Sequence, residues 1–342
     1  MRRNGYQVAV VGATGAVGEE MLRLFDERDF PISTLRVFAS HRSVGQDVEC
    51  GKKRILVEDL EKANLSGIEI ALFSAGSKTA QHVAPRFVKA GAVVIDNSSA
   101  FRMDDDVPLI VPEVNAHALA DYRKRRIIAN PNCSTIQLVV ALKPLHDAAT
   151  VKRIVVSTYQ AVSGAGRRAM DELSSQCVDL FNQRELKRTI LPQQIAFNCF
   201  PQIGAFTDDG YTEEEIKMVN ETKKIMSAPD IRVIATCVRV PIFCSHSEAV
   251  IVEFERSISV SEARERLMAA PGVAVVDNPE KGSYPMPIDA TGKDATLVGR
   301  IRKDNTVPNG LAFWIVADNL RKGAALNAVQ IAELLIEQDD FA

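Results

Sequence analysis

Short apolar runs alternate with amphipathic stretches along the first 135 residues of the chain. Residues 6–12 (YQVAVVG), 35–40 (LRVFAS), 69–76 (EIALFSAG), 92–98 (AVVIDNS), 108–114 (PLIVPEV) and 126–132 (RIIANPN) read as strands. Their valines and isoleucines run on rather than alternate, as in strands buried on both faces. Residues 16–28, 79–91 and 115–124 carry the spacing of helices. This alternation predicts a parallel, doubly wound α/β sheet.

The texture changes near residue 150. Residues 151–164, 231–242 and 248–255 alternate more and suit an antiparallel or mixed sheet with one exposed face. Residues 167–183 read as a polar helix, and 271–287 form a proline-rich, turn-rich segment. Residues 323–338 predict an amphipathic helix with Leu326, Val329, Leu334 and Ile336 on its apolar face, expected to pack back on the first domain. The implied organisation is a first domain at 1–134, completed by 322–342, and a second α+β domain at 135–321.

At 342 residues the chain has room for two cores. A net charge of −3 gives no reason to expect nucleic acid or an acidic membrane as partner. No window reaches the roughly 20 apolar residues of a membrane span. The start MRRNGYQVAVVGATG breaks its apolar run too soon for a signal peptide. The six cysteines (50, 133, 177, 199, 237, 244) form no CxxC pair, which suits reduced thiols of a cytoplasmic enzyme and no metal site.

Candidate chemistry begins at VVGATGAVGEEM, where Gly12, Gly15 and Gly18 mark a strand–turn–helix junction. Glycine permits the tight turn, and the helix start offers free N–H groups to a pyrophosphate, so the loop predicts a Rossmann-type dinucleotide site. After the second strand an NAD site would carry a carboxylate; here the turn reads Ser40, His41, Arg42, Ser43. Hydroxyls and a guanidinium suit a 2′-phosphate, so NADP is expected. Cys133 follows the turn Asn130-Pro131-Asn132, and Ser134 and Thr135 are helix-start residues. A thiol on a first helical turn meets unpaired N–H groups and the positive dipole end, which favour thiolate. Local features leave a buried structural cysteine equally open.

GATGAVG, SSAFRM, NPNCST, YQAVSGAG, RVPIFCSHSE and NAVQIAE, taken together and in order, resemble the aspartate-semialdehyde dehydrogenase family. The resemblance covers nearly the whole chain. It implies NADPH-dependent reductive dephosphorylation of 4-aspartyl phosphate, a homodimer, and a second domain that is catalytic and dimerising. By resemblance Cys133 is the nucleophile, His246 the acid/base and Gln160 the residue that orients substrate. Arg239 would bind the α-carboxylate, Glu214 the amine, and Arg102 with Lys217 the phosphate. Glu213 and Glu215 flank Glu214, so that assignment can slip by one. The cofactor would meet Gly12, Thr14, Gly15, Ala16, Val17, Ser40, Arg42, Ser43, Ser74, Ser163, Gly164 and Gln330. A related acyl-phosphate reductase, such as N-acetyl-glutamyl phosphate reductase, and a non-catalytic nucleotide-binding paralogue are the alternatives.

Overall fold

The computed structural model describes residues 5–338; the outermost residues of the segments 1–134 and 322–342 lie outside these. The chain divides into two compact units, one ending at Asn132 and resuming at Ala324, the other running from Cys133 to Gly323.

The first unit holds β1 (Tyr6–Val11), α1 (Ala16–Glu27), β2 (Ile32–Ala39), β3 (Asp47–Cys50), β4 (Lys53–Asp59), β5 (Ile70–Phe73), α2 (Ser77–Lys89), β6 (Val93–Asp96), α3 (Pro112–Asn115) and β7 (Ile127–Ala129). The sheet order is β3-β4-β2-β1-β5-β6-β7, parallel throughout except for the β3–β4 pair. Strand order therefore reverses at β1, with β2 on one side and β5 on the other. Open α/β sheets bind ligands at such a switch point. The central strands are buried on both faces, which explains their unbroken apolar runs. The C-terminal helix, Leu326–Glu337, completes this core: Leu326, Val329, Leu335 and Ile336 are buried in one cluster with Val8, Leu22 and Phe25.

One expectation for this unit changes, and one pair of strands was unforeseen. Residues 108–114 form no strand, only a single bridge from Leu109 to Ala129 followed by α3. Pro108 and Pro112 have no N–H to extend a ladder, and proline favours the first position of a helix. The β3–β4 hairpin was not legible because its apolar residues are interleaved with charges, as befits a sheet edge.

The second unit opens with α4 (Cys133–Ala149) and contains β8 (Val151–Gln160), α5 (Arg167–Phe181), α6 (Glu213–Ile225), β9 (Arg232–Arg239), β10 (His246–Phe254), α7 (Val260–Ala269), β11 (Val273–Val275), α8 (Pro287–Ala290), β12 (Thr296–Asp304) and β13 (Gly310–Ala317). Its sheet is mixed, in the order β11-β12-β13-β10-β8-β9. Helices α4, α6 and α7 pack on the sheet, and alternate residues of β8 and β10 are buried. On the other face Tyr159 of β8, Ile234 of β9 and Ile251 of β10 are at least 38% exposed. That half-open face carries a pocket of about 490 Å³ lined by Val155, Ile251, Tyr284, Phe313 and Trp314 among others.

The terminal helix is held by apolar burial and by a paired contact of Arg28 with Glu333 at 2.7 Å. The ion pair is partly solvated, so burial dominates. Leu335→Ala should therefore cost about 2–5 kcal/mol in urea unfolding, and Arg28→Ala less than about 1 kcal/mol.

Candidate active site

In the first unit, the glycine loop lies at the switch point. Gly12 has φ +86°, and a Cβ there would come within 2.8 Å of the Ser74 carbonyl oxygen. A Cβ on Gly18 would meet the Gly12 oxygen at 2.3 Å, so glycine is required at both positions. The space left open is a pocket of about 390 Å³ lined by Gly12, Thr14, Gly15, Ser40, His41 and Ser74. Ala16 and Val17 begin α1. Thr14 Oγ1 donates to Ser43 Oγ at 3.4 Å, tying the turn after β2 to the glycine loop, and Arg42 is exposed on that turn. Asp59 and Glu61 line the same pocket, two carboxylates that no local pattern marked. The cradle and the α1 N-terminus fit a dinucleotide pyrophosphate. Gln330 lies on the terminal helix and donates to Glu113 at 3.3 Å.

Arg102 is also in this unit and is buried. Its Nη2 donates to the Asn97 carbonyl at 2.7 Å. Asn97 Oδ1 accepts from Asn130 Nδ2 at 2.6 Å, and Asn130 Oδ1 accepts from Asn327 Nδ2 at 2.7 Å. A chain of buried amides thus links the Arg102 loop, the turn before Cys133 and the C-terminal helix. Sequence reasoning missed Asn97 and Asn327, whose only signal was an asparagine inside an apolar pattern.

In the second unit, three adjacent strands bring the remaining residues together. The parallel register sets Gln160 of β8 beside Arg239 of β9. The antiparallel register pairs Ser247 of β10 with Tyr159, which places His246 at the same end of the sheet. Arg239 is 5% exposed and donates from Nη1 to the Ala161 carbonyl at 2.7 Å. Burial lowers its pKa, while Glu214 and then Cys133 pull it back up. Gln160 Nε2 donates to Glu214 Oε1 at 3.2 Å, and Lys217 Nζ lies 3.5 Å from Glu214 Oε2.

The three neighbouring glutamates separate cleanly. Glu215 forms the capping box with Thr212 and accepts from the Cys237 N–H at 2.9 Å. Glu213 accepts from the Ala205 N–H at 3.3 Å. Glu214 alone of the three meets Gln160.

Gly164 leaves a hollow between the key groups. A Cβ there would lie 3.1 Å from Arg239 Nη1 and 3.3 Å from His246 Nε2. Ser163 is fixed by Asn319, which also accepts from the Ser245 N–H at 2.8 Å. Asn319 thus fixes the turn of Ser163 and Gly164 to the residue before His246; the sequence did not reveal it. Cys133, at the head of α4, packs against Gly323, where a Cβ would approach its own Cβ to 2.9 Å. Cys237 differs in kind, because burial pushes its thiol far up in pKa. Among the described residues no group of three His, Cys, Asp or Glu could hold a metal ion.

His246 is fully buried. Burial first, and the Arg239 charge second, hold its pKa well below the ordinary histidine range. Nδ1 accepts from the Ala161 N–H at 3.0 Å, so the neutral ring carries its proton on Nε2. The Ala161 contact makes the resting ring a donor at Nε2, which has no partner among the described residues. A depressed histidine pKa contributes stability above the ordinary value of about 6.5 that is lost as pH falls below it. Nitrogen–proton NMR of His246 should show the Nε2–H tautomer unchanged from about pH 8 to about pH 6. An imidazolium at the lower pH would contradict this.

Comparison with known proteins identifies the family. Residues 7–122 match the family model "Semialdehyde dehydrogenase, NAD binding domain", and residues 142–322 match "Semialdehyde dehydrogenase, dimerisation domain". The chain is 56% identical over 336 residues to aspartate-semialdehyde dehydrogenase of Aquifex aeolicus, covering 98% of this chain and 99% of that protein. It superposes with a TM-score of 0.95 on aspartate semialdehyde dehydrogenase II from Vibrio cholerae complexed with ASA, at 50% identity, covering 97% of this chain and 98% of that one. A Candida albicans aspartate semialdehyde dehydrogenase with NADP gives a TM-score of 0.77 at 25% identity, covering 98% and 99%. The chain belongs to the aspartate-semialdehyde dehydrogenase family.

Proposed function

We propose that this protein is an NADP-dependent, phosphorylating aspartate-semialdehyde dehydrogenase. It reversibly converts 4-aspartyl phosphate to aspartate 4-semialdehyde and phosphate, a step toward lysine, methionine and threonine. The observation that carries this reading is the convergence of Arg239, His246 and the Gln160–Glu214 pair in the unit whose first helix begins at Cys133.

In the reductive direction the Cys133 thiolate attacks the acyl carbon, and phosphate leaves with the bonding electrons. The result is a thioester on Cys133. NADPH, when bound, supplies a hydride to the thioester carbon. His246 donates its Nε2–H to the oxygen that gains charge, and needs to transfer no proton to do so. The C–S bond then breaks, and Cys133 leaves as a thiolate stabilised by Arg239 and the α4 N-terminus. Arg239 holds the substrate α-carboxylate through its fork, Gln160 orients the substrate, and Glu214 pairs with the free amine. A free amine rather than an acylated one suits that carboxylate, which favours this substrate over N-acetyl-glutamyl phosphate. Arg102 and Lys217 are the cations for phosphate.

For the cofactor, Gly12, Thr14, Gly15, Ala16 and Val17 take the pyrophosphate, and Ser40, Arg42 and Ser43 take the 2′-phosphate. Ser74, Ser163, Gly164 and Gln330 complete the contacts. The absence of a carboxylate from the turn after β2 supports NADP over NAD. The exposed apolar positions Tyr159, Ile234 and Ile251 support a homodimer through that face of the second sheet. Six free cysteines are in keeping with a cytoplasmic location.

The test is phosphate-dependent formation of NADPH from aspartate semialdehyde and NADP. Cys133→Ala should lower kcat by about a thousandfold or more; an unchanged rate rules the mechanism out. Arg239→Lys should lower kcat/KM for aspartate semialdehyde by about 10- to 100-fold, because an ammonium cannot present the fork. Arg42→Ala should cut the preference for NADP over NAD by about tenfold. A wild-type preference for NAD would overturn the reading of that turn.

A further inference from the structure

Residues 317–323 reach both His246 and Cys133. Ala317 ends β13 and pairs with His246 across the antiparallel ladder. Two residues on, Asn319 Oδ1 accepts from the Ser245 N–H at 2.8 Å. Ser245 has φ +74°, a left-handed conformation uncommon for a serine. The Asn319 acceptor and a 2.9 Å contact between Ser245 Oγ and Thr291 Oγ1 hold it there, one residue before the imidazole. Four residues after Asn319, Gly323 lies against Cys133.

Asp318 shapes the path between those two ends. It is buried and directly follows β13. Oδ1 accepts from the N–H groups of Leu320 at 2.8 Å and Arg321 at 3.1 Å, and Oδ2 from that of Gly292 at 2.7 Å. The Asp318 carbonyl accepts from the Gly323 N–H at 3.0 Å. That bond spans five residues, against four in an α-helix, and leads into the wide π turn of Arg321–Ala325. Single π turns recur at functional sites. Arg321, also buried, anchors the turn to Asp294 at 2.8 Å.

At the far end the fit is set by what Gly323 lacks. A Cβ there would lie 2.9 Å from Cys133 Cβ, 3.3 Å from its Cα and 3.5 Å from its carbonyl oxygen. These atoms belong to the head of α4, so no flexible tip can swing aside. We infer that residues 317–323 are a spacer that sets the Cys133 thiol relative to His246, with Gly323 the positioning residue at the thiol end and Asp318 the one that builds the turn. The strand end fixes the imidazole, the carboxylate fixes the span, and the bare glycine fixes how close the nucleophile stands. A methyl group at 323 would push Cys133 from the N–H groups and positive dipole end that favour its thiolate. A displacement of about 1 Å at a reacting atom is enough to slow chemistry strongly.

This inference rests on Cys133 and His246 acting together, so its test includes a readout that needs no turnover. That readout is the rate at which iodoacetamide alkylates each thiol, followed by peptide mass spectrometry. In G323A the Cys133 rate should fall about tenfold, while exposed Cys199 keeps its wild-type rate and buried Cys237 stays unreactive. In turnover G323A should lower kcat about 10- to 100-fold, with KM for aspartate semialdehyde held within about threefold. D318N keeps the size of the side chain but sets an N–H donor against a backbone N–H. It should lower both the Cys133 rate and kcat about fivefold.

A wild-type Cys133 rate in folded G323A overturns the proposal whatever kcat does, and so does a wild-type kcat. Faster alkylation of Cys237 marks a loosened fold and overturns it too. If G323A does not fold, D318N decides on the same two readouts. Absence of any phosphate-dependent activity in the wild type would sink the proposed function, while the alkylation rates would still decide what holds Cys133.

Discussion

A guanidinium buried at the end of a sheet must be met by anions and acceptors, and most of the second unit's site follows from meeting it. Arg239 is 5% exposed and sits at the last position of β9. Glu214, Cys133 and the Ala161 carbonyl answer its charge. Each arrives from a different element: α6, α4 and the turn after β8. The same cation helps to keep His246 neutral. One charge thereby lies beside the Cys133 thiol and the Glu214 carboxylate and adds to what burial does at His246. A lysine of the same charge would lack the planar fork that lets one side chain meet several partners at once.

The backbone determines what each group can do. Ala161 gives its carbonyl to Arg239 and its N–H to His246, so a single peptide residue holds the cation and assigns the tautomer. An imidazole thus fixed presents its Nε2–H from a buried, preset position. Asn319 and Gln137 play comparable parts at one remove, through hydrogen bonds to the residue before His246 and to its own carbonyl.

Much of the fold was legible because burial leaves a local trace. YQVAVVG became β1, and the apolar face of residues 323–338 became the helix that closes the first core. The glycine loop was legible because Gly12 and Gly18 face steric limits that no other residue meets. The strand expected at 108–114 failed on its two prolines, and the β3–β4 hairpin hid behind edge charges. For β12 and β13 no strand was anticipated, since charged residues late in β12 and the preceding turn-rich segment masked a pairing across the sheet. The thiol of Cys133 showed locally, as a helix-start residue. Its partners did not: Gln160 meets Arg239 only through a strand register spanning 79 positions. Family resemblance supplied those residues where local pattern could not. Gln137 and Asn319 stayed hidden because a polar residue in an alternating stretch looks solvent-facing until its strand or helix is buried on that side.

The central claim is a covalent one: Cys133 carries the acyl group between phosphate release and reduction. Intact-protein mass spectrometry after mixing with aspartate semialdehyde and NADP, without phosphate, measures it most directly. The expected result is an aspartyl adduct on the peptide containing Cys133, discharged when phosphate is added and never formed in Cys133→Ala. A wild-type protein that turns over with phosphate yet shows no adduct, or an adduct on another residue, would contradict it.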